Sequence, residues 1–153
     1  MGKPLPIDHN RSISSFAHHS NLSNAANILF VEYNRFMEWN VIFDPDFRTW
    51  FYDQEIGFQN EAFAIIEILA ESGPTLGRPR VDTLKGSVFK NMKELRIQYQ
   101  GEPWRILFAF DPQRQAILLV GGNKTGNKRW YEENLPIAER RYEQYLETLE
   151  EQN

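Results

Sequence analysis

Apolar and polar positions fall into a regular pattern at Met37 and keep one to the end of the 153-residue chain. Trp39, Val41 and Phe43 alternate with Glu38, Asn40 and Ile42, the period of a first strand. Asp44-Pro45 then reads as a helix N-cap with Pro at the first helical position, and Phe47, Trp50 and Phe51 give the short helix its apolar face. A second helix is expected over Gln59–Glu71, burying Ala62, Phe63, Ile65, Ile66 and Leu69, with Ser72-Gly73-Pro74 as its stop. Val81–Leu84 is a weak strand signal. Met92–Tyr99, Pro103–Phe110 and Gln115–Gly121 are strong ones, joined by Gln100-Gly101 and by Asp111-Pro112-Gln113-Arg114, where Asp first and Pro second suit a type I turn. After Lys128 the pattern is helical again, interrupted at Pro136 and resuming through Ile137, Tyr142, Tyr145, Leu146 and Leu149. The predicted fold is α+β: an antiparallel meander, two helices after the first strand and one C-terminal helix.

Residues 1–36 lack such periodicity and are rich in Ser, Asn and His, so they read as a loosely ordered extension before a single domain over 37–153. Met37 is then a candidate biological start. No run approaches the length of a membrane span. The absence of Cys rules out disulfides, thiolate metal sites and a Cys nucleophile, and fits a reducing cytoplasm. His9, His18 and His19 are the only histidines, so chemistry downstream must proceed without imidazole; no metal or cofactor is expected.

The net charge of -4 conceals a segregation. Residues 38–77 hold eight acids against one base, residues 78–129 eleven bases against four acids, and residues from Trp130 onward seven acids against two bases. A basic middle between acidic flanks suits a polyanion, although scattered solvated Lys and Arg would give the same count. On the sheet, Leu95, Ile97 and Tyr99 share one face with Trp104, Ile106, Phe108 and Phe110. Either hairpin register then sets Arg96 beside Arg105 on the opposite face, along with Leu107, Leu118 and Val120. Two adjacent guanidinium groups call for a counter-charge: a bound anion, or Glu94 or a helix carboxylate. Gly121-Gly122-Asn123-Lys124-Thr125-Gly126 leads through Lys128 and Arg129 to Trp130 and Tyr131. Such a turn can offer N–H groups and a helix N-terminus to a phosphate, and Trp130 and Tyr131 either stack on a base or belong to the core.

Leu76-Gly77-Arg78-Pro79, Asp82-Thr83-Leu84-Lys85-Gly86-Ser87, Asn91-Met92-Lys93-Glu94-Leu95-Arg96, Trp104-Arg105-Ile106-Leu107-Phe108-Ala109-Phe110-Asp111 and Gly121-Gly122-Asn123-Lys124-Thr125-Gly126 occur in that order. With them the sequence resembles the HigB-like, phage-derived branch of the RelE/ParE toxin superfamily. The resemblance implies a RelE-like antiparallel sheet flanked by helices and the toxin role in a type II toxin-antitoxin pair. It further implies metal-independent cleavage of mRNA, commonly on the ribosome, and a cognate antitoxin as partner. Carried over, the family's site falls on Lys93, Arg96, Arg105 and Tyr131 and on the basic turn with Lys124, Lys128 and Arg129; Lys85 and Trp130, read from the basic middle and the aromatic after the turn, are further candidate RNA contacts beside Lys128 and Arg129. Parity sets Lys93 with the core-facing Leu95, so Arg96, Arg105 and Tyr131 rank above it. The superfamily also hosts ParE-like inhibitors that bind DNA gyrase and cut nothing, which is the alternative; an inactive relic is a third.

Overall fold

A computed structural model describes residues 39–152. The predicted extension over 1–36 and the boundary at Met37 lie outside these residues. The elements run β1 (Asn40–Phe43), α1 (Pro45–Tyr52), α2 (Ile56–Ser72), a 3-10 turn (Gly73–Thr75), β2 (Val81–Thr83), β3 (Met92–Tyr99), β4 (Glu102–Phe110), β5 (Gln115–Asn123) and α3 (Trp130–Glu151). The expected α+β order is therefore observed. No described helix is long and apolar enough to cross a membrane.

The Asp44 carboxylate accepts hydrogen bonds from the N–H groups of Asp46 (2.9 Å) and Phe47 (3.1 Å), with Pro45 leading the helix, so α1 starts as its sequence requires. Helix α2 starts three residues before the expected Gln59, because Phe58 and Gln59 are also buried. The Gln59 side chain donates to the carbonyls of Tyr52 and Gln54 and so ties α2 to the end of α1. Gly73, at φ 58°, ends the helix.

The sheet order is β1-β5-β4-β3-β2. Strands β2 to β5 form the expected meander, whereas β1 joins the edge in parallel with β5, a non-local pairing that periodicity does not encode. Helices α1 and α2 cover one face through Phe47, Phe51, Phe58, Ala62, Ile66 and Leu69 against Leu95, Ile97, Ile106 and Phe108. Helix α3 covers the other through Trp130, Ala138 and Tyr142 against Met92, Leu107, Ile117 and Leu119.

Two expectations change. Leu118 packs on the α1/α2 face and not beside the arginines, because the register with β4 passes from Leu118 to Val120 and leaves Leu119 as an extra, bulged residue that reverses parity. Pro136 does not interrupt α3: the helix runs through it, held on one side by buried Trp130 and on the other by Ala138 and Tyr142, and tertiary packing outweighs the lost backbone bond.

Candidate functional site

The β3–β4 hairpin turns on Gln100 and Gly101, both at positive φ (51° and 75°), and this two-residue loop fixes the register. Arg96 is thereby paired directly with Arg105, as expected from alternation. The charge between them is Glu94, two residues before Arg96 and so on the same face, and only 3% exposed. Its Oε1 accepts from Arg96 Nε at 3.0 Å; its Oε2 accepts from the Tyr131 hydroxyl at 2.6 Å and lies 3.7 Å from Arg105 Nε. Arg105 Nε also donates to Tyr131 Oη at 3.3 Å, and Arg105 Nη1 to the Trp104 carbonyl. The arginine pair is therefore neutralised from within. An external anion as its primary counter-charge is set aside in favour of the carboxylate alternative.

The cluster extends outward. Arg96 Nη2 reaches Asp82 Oδ2 at 3.1 Å, and Asp82 accepts in turn from Arg78. The Arg78 bond, above all, holds the Asp82 carboxyl below its usual range. Lys124 Nζ sits 5.2 Å from the centroid of the Tyr131 ring. Burial first, then the bond to Glu94, raises the Tyr131 phenol above its ordinary value, with Arg105 acting in the opposite direction. The bond to Glu94, more than any other contact, holds the Arg96 proton more firmly than usual. The two arginines differ in access: the Arg96 side chain is 36% exposed, whereas the whole of Arg105 is 8% exposed. Arg96 faces solvent. Arg105 is its buried support.

Arg96, Arg105, Tyr131 and Lys124 are thus gathered in one place, and the sequence signal missed as site members is Glu94 and Asp82. Glu94 was accessible from parity with Arg96; Asp82 requires the register of the short β2, where it pairs with Glu94. Lys93 lies apart, on the α1/α2 side, where it bonds to Thr83. Lys85 and Lys128 are exposed and, among the described residues, no contact joins them to the cluster; exposed Arg129 pairs with Glu132. Trp130 is not a stacking platform: it is 4% exposed and packs against Gly122. The glycine-rich turn is no open phosphate cradle either. The N–H groups of Lys124, Thr125, Asn127, Arg129 and Trp130 are bonded to Pro103, Asn123, Lys124, Asn127 and Asn127 respectively, and Glu132 and Glu133 occupy the first turn of α3.

The family model described as "Phage derived protein Gp49-like" matches residues 49–143, from α1 into α3. The chain belongs to this phage-derived family. It is 51% identical over 107 residues to "Putative toxin HigB3" of Mycobacterium tuberculosis, a match covering 69% of this chain and 92% of that protein. It is 53% identical over 91 residues to "Putative toxin HigB2" of the same organism, covering 58% of this chain and 45% of that longer relative. The HigB-like resemblance seen in the motifs is borne out. A free-state structure of an arginine-substituted E. coli toxin RelE aligns with a TM-score of 0.47 and 12% identity, over 69% of this chain and 98% of that one. Within this Gp49-like chain the matched span includes Arg78, Asp82, Glu94, Arg96, Arg105, Lys124 and Tyr131, the whole cluster just described.

Proposed function

We propose that the chain is the toxin of a type II toxin-antitoxin pair and acts as a metal-independent endoribonuclease on mRNA, engaged at the ribosome and silenced by a cognate antitoxin. The observation that carries this reading is the Glu94–Tyr131–Arg105 triad beneath Arg96 and Lys124, in a relative of two HigB-named toxins.

Cleavage by an RNA's own 2'-hydroxyl requires a proton acceptor, cations for the phosphorane charge and a donor for the leaving 5'-oxygen. Tyr131 Oη takes the proton of the 2'-hydroxyl as it passes its own to Glu94, so no free phenolate is needed. Arg105, bonded to Oη, holds the phenol in line and offsets charge there. Arg96 binds the non-bridging phosphate oxygens from the solvent side, since a guanidinium stays charged and can contact two of them. Lys124 gives a proton to the 5'-oxygen as the P–O bond breaks, leaving a 2',3'-cyclic phosphate and a 5'-hydroxyl.

Inducing the chain without a partner is expected to arrest growth and shorten mRNAs to fragments with 5'-hydroxyl ends. Intact transcripts beside supercoiling-deficient DNA would transfer the case to a gyrase-binding inhibitor.

A further inference from the structure

On the face opposite the arginine cluster, the start of α2 and the β3–β4 hairpin form a pocket of about 190 Å³, lined by Gln54, Glu55, Phe58, Tyr99, Glu102 and Trp104. Its walls are aromatic and packed on one another: Phe58 and Trp104 rings lie 4.3 Å apart, and Phe58 and Tyr99 meet edge to face at 6.2 Å. Gly57 lets the Tyr99 ring lie against the first turn of α2, where any Cβ would collide with it. The rim carries two carboxylates, Glu55 and Glu102, neither with a cationic partner among the described residues. Glu55 stands at the N-cap of α2 yet makes no capping bond; it accepts from the Tyr99 hydroxyl at 2.9 Å instead. Glu102 accepts from Asn123 Nδ2. Trp104 Nε1 is buried with no acceptor among the described residues, which makes its N–H a reporter of the pocket.

We propose that this pocket receives the cationic end of one basic side chain, Arg or Lys, presented by a bound polypeptide. An aromatic wall attracts a cation through its ring quadrupole, and two carboxylates free of internal cations supply the charge. The same carboxylates repel a phosphate, which sets this pocket apart from the arginine face and excludes RNA from it. Its small volume suits a guanidinium or ammonium group with part of its methylene stem and not a nucleotide. The proposal stands whether or not the opposite face cuts RNA.

The test follows the Trp104 indole N–H resonance of the full chain during titration with N-acetylarginine methylamide, the corresponding lysine compound, uncharged N-acetylcitrulline methylamide, and spermidine. Saturable shifts with the arginine or lysine compound and none with citrulline are expected, with affinity at least tenfold weaker in Glu55→Gln/Glu102→Gln. Both replacements are isosteric at exposed positions, and thermal unfolding of the variant verifies that it folds. No saturable shift, a citrulline response equal to that of arginine, an unchanged affinity in the double variant, or binding of spermidine alone would each overturn the proposal.

Discussion

Arg96 and Arg105 sit side by side on adjacent strands, but burial gives them different work. Removing Arg105 leaves Glu94 buried with one cation fewer and Tyr131 without a donor, so Arg105→Ala is expected to lower stability by about 1.5–3 kcal/mol. Like-charge repulsion alone would make the loss of one arginine nearly neutral, but Glu94 stands between the two and turns the repulsion into shared attraction. Arg96→Ala removes a group 36% exposed, whose place beside Glu94 and Asp82 water can take, so the cost should stay within about 1 kcal/mol. In the proposed reaction both variants lose activity: a loss of about 2 kcal/mol of transition-state stabilisation slows cleavage more than tenfold. They differ in kind. Arg96→Ala should raise KM and flatten its salt dependence, whereas Arg105→Ala should lower kcat. Arg140→Ala, an exposed arginine on α3, is the charge-matched control, expected within about 0.5 kcal/mol and at full activity. Arg114 is unsuitable for that purpose, since it lies at φ 61° with its guanidinium 5.1 Å from the Trp39 ring. RNA cleavage assays with urea unfolding on the three proteins decide the matter; equal loss of stability in Arg96→Ala and Arg105→Ala would contradict the division.

At the scale of elements, the hairpins were legible because their turns and alternation agree: Gln100-Gly101 sets the β3–β4 register and Asp111 caps the next turn by accepting from the N–H groups of Gln113 and Gln115. What was not legible lies where the pattern carries no parity. Ile117-Leu118-Leu119-Val120 is apolar on both faces, so nothing in it marks Leu119 as the bulged residue. The Gly121-Gly122 pair has the look of a phosphate-binding turn, yet each glycine is explained by an indole: a Cβ on Gly121 would come 2.5 Å from Trp50, and one on Gly122 would come 2.7 Å from Trp130. The two glycines let α1 and the start of α3 approach opposite sides of β5. Gly122→Ala should therefore destabilise by about 1–3 kcal/mol through overpacking. Trp130→Ala should cost about 3–5 kcal/mol by emptying the same contact. Neither variant should change RNA affinity at temperatures where it remains folded, a result that binding and thermal unfolding measured together will verify; weaker binding by a fully folded Trp130→Ala protein would restore the stacking role.

Across the whole molecule, tyrosine hydroxyls tie the sheet to the helices around it. Tyr131 joins α3 to Glu94 on β3, Tyr145 joins α3 to Asp111 at 2.6 Å, Tyr142 donates to the Phe110 carbonyl, and Tyr99 joins β3 to Glu55 at the start of α2. All four phenols are held above their ordinary value near 10: Tyr131, Tyr142 and Tyr145 chiefly by burial, Tyr99 chiefly by its bond to Glu55. A raised phenol means that the folded chain keeps a proton which the unfolded chain gives up at about pH 10. The contribution is complete below that pH and declines as pH rises toward the folded values. Stability from these four groups should hold level from pH 7 to about 9 and fall continuously above about 10, with proton release coupled to unfolding. Tyr145, the most strongly raised, carries the largest share. Tyr145→Phe should start less stable at pH 7, having lost its bond to Asp111, and then decline less steeply above pH 10. Urea midpoints of both proteins between pH 7 and 11, with phenolate absorbance followed in the same samples, give the two slopes; parallel slopes would show that Tyr145 ionises alike in the folded and unfolded chains and that burial does not hold its proton.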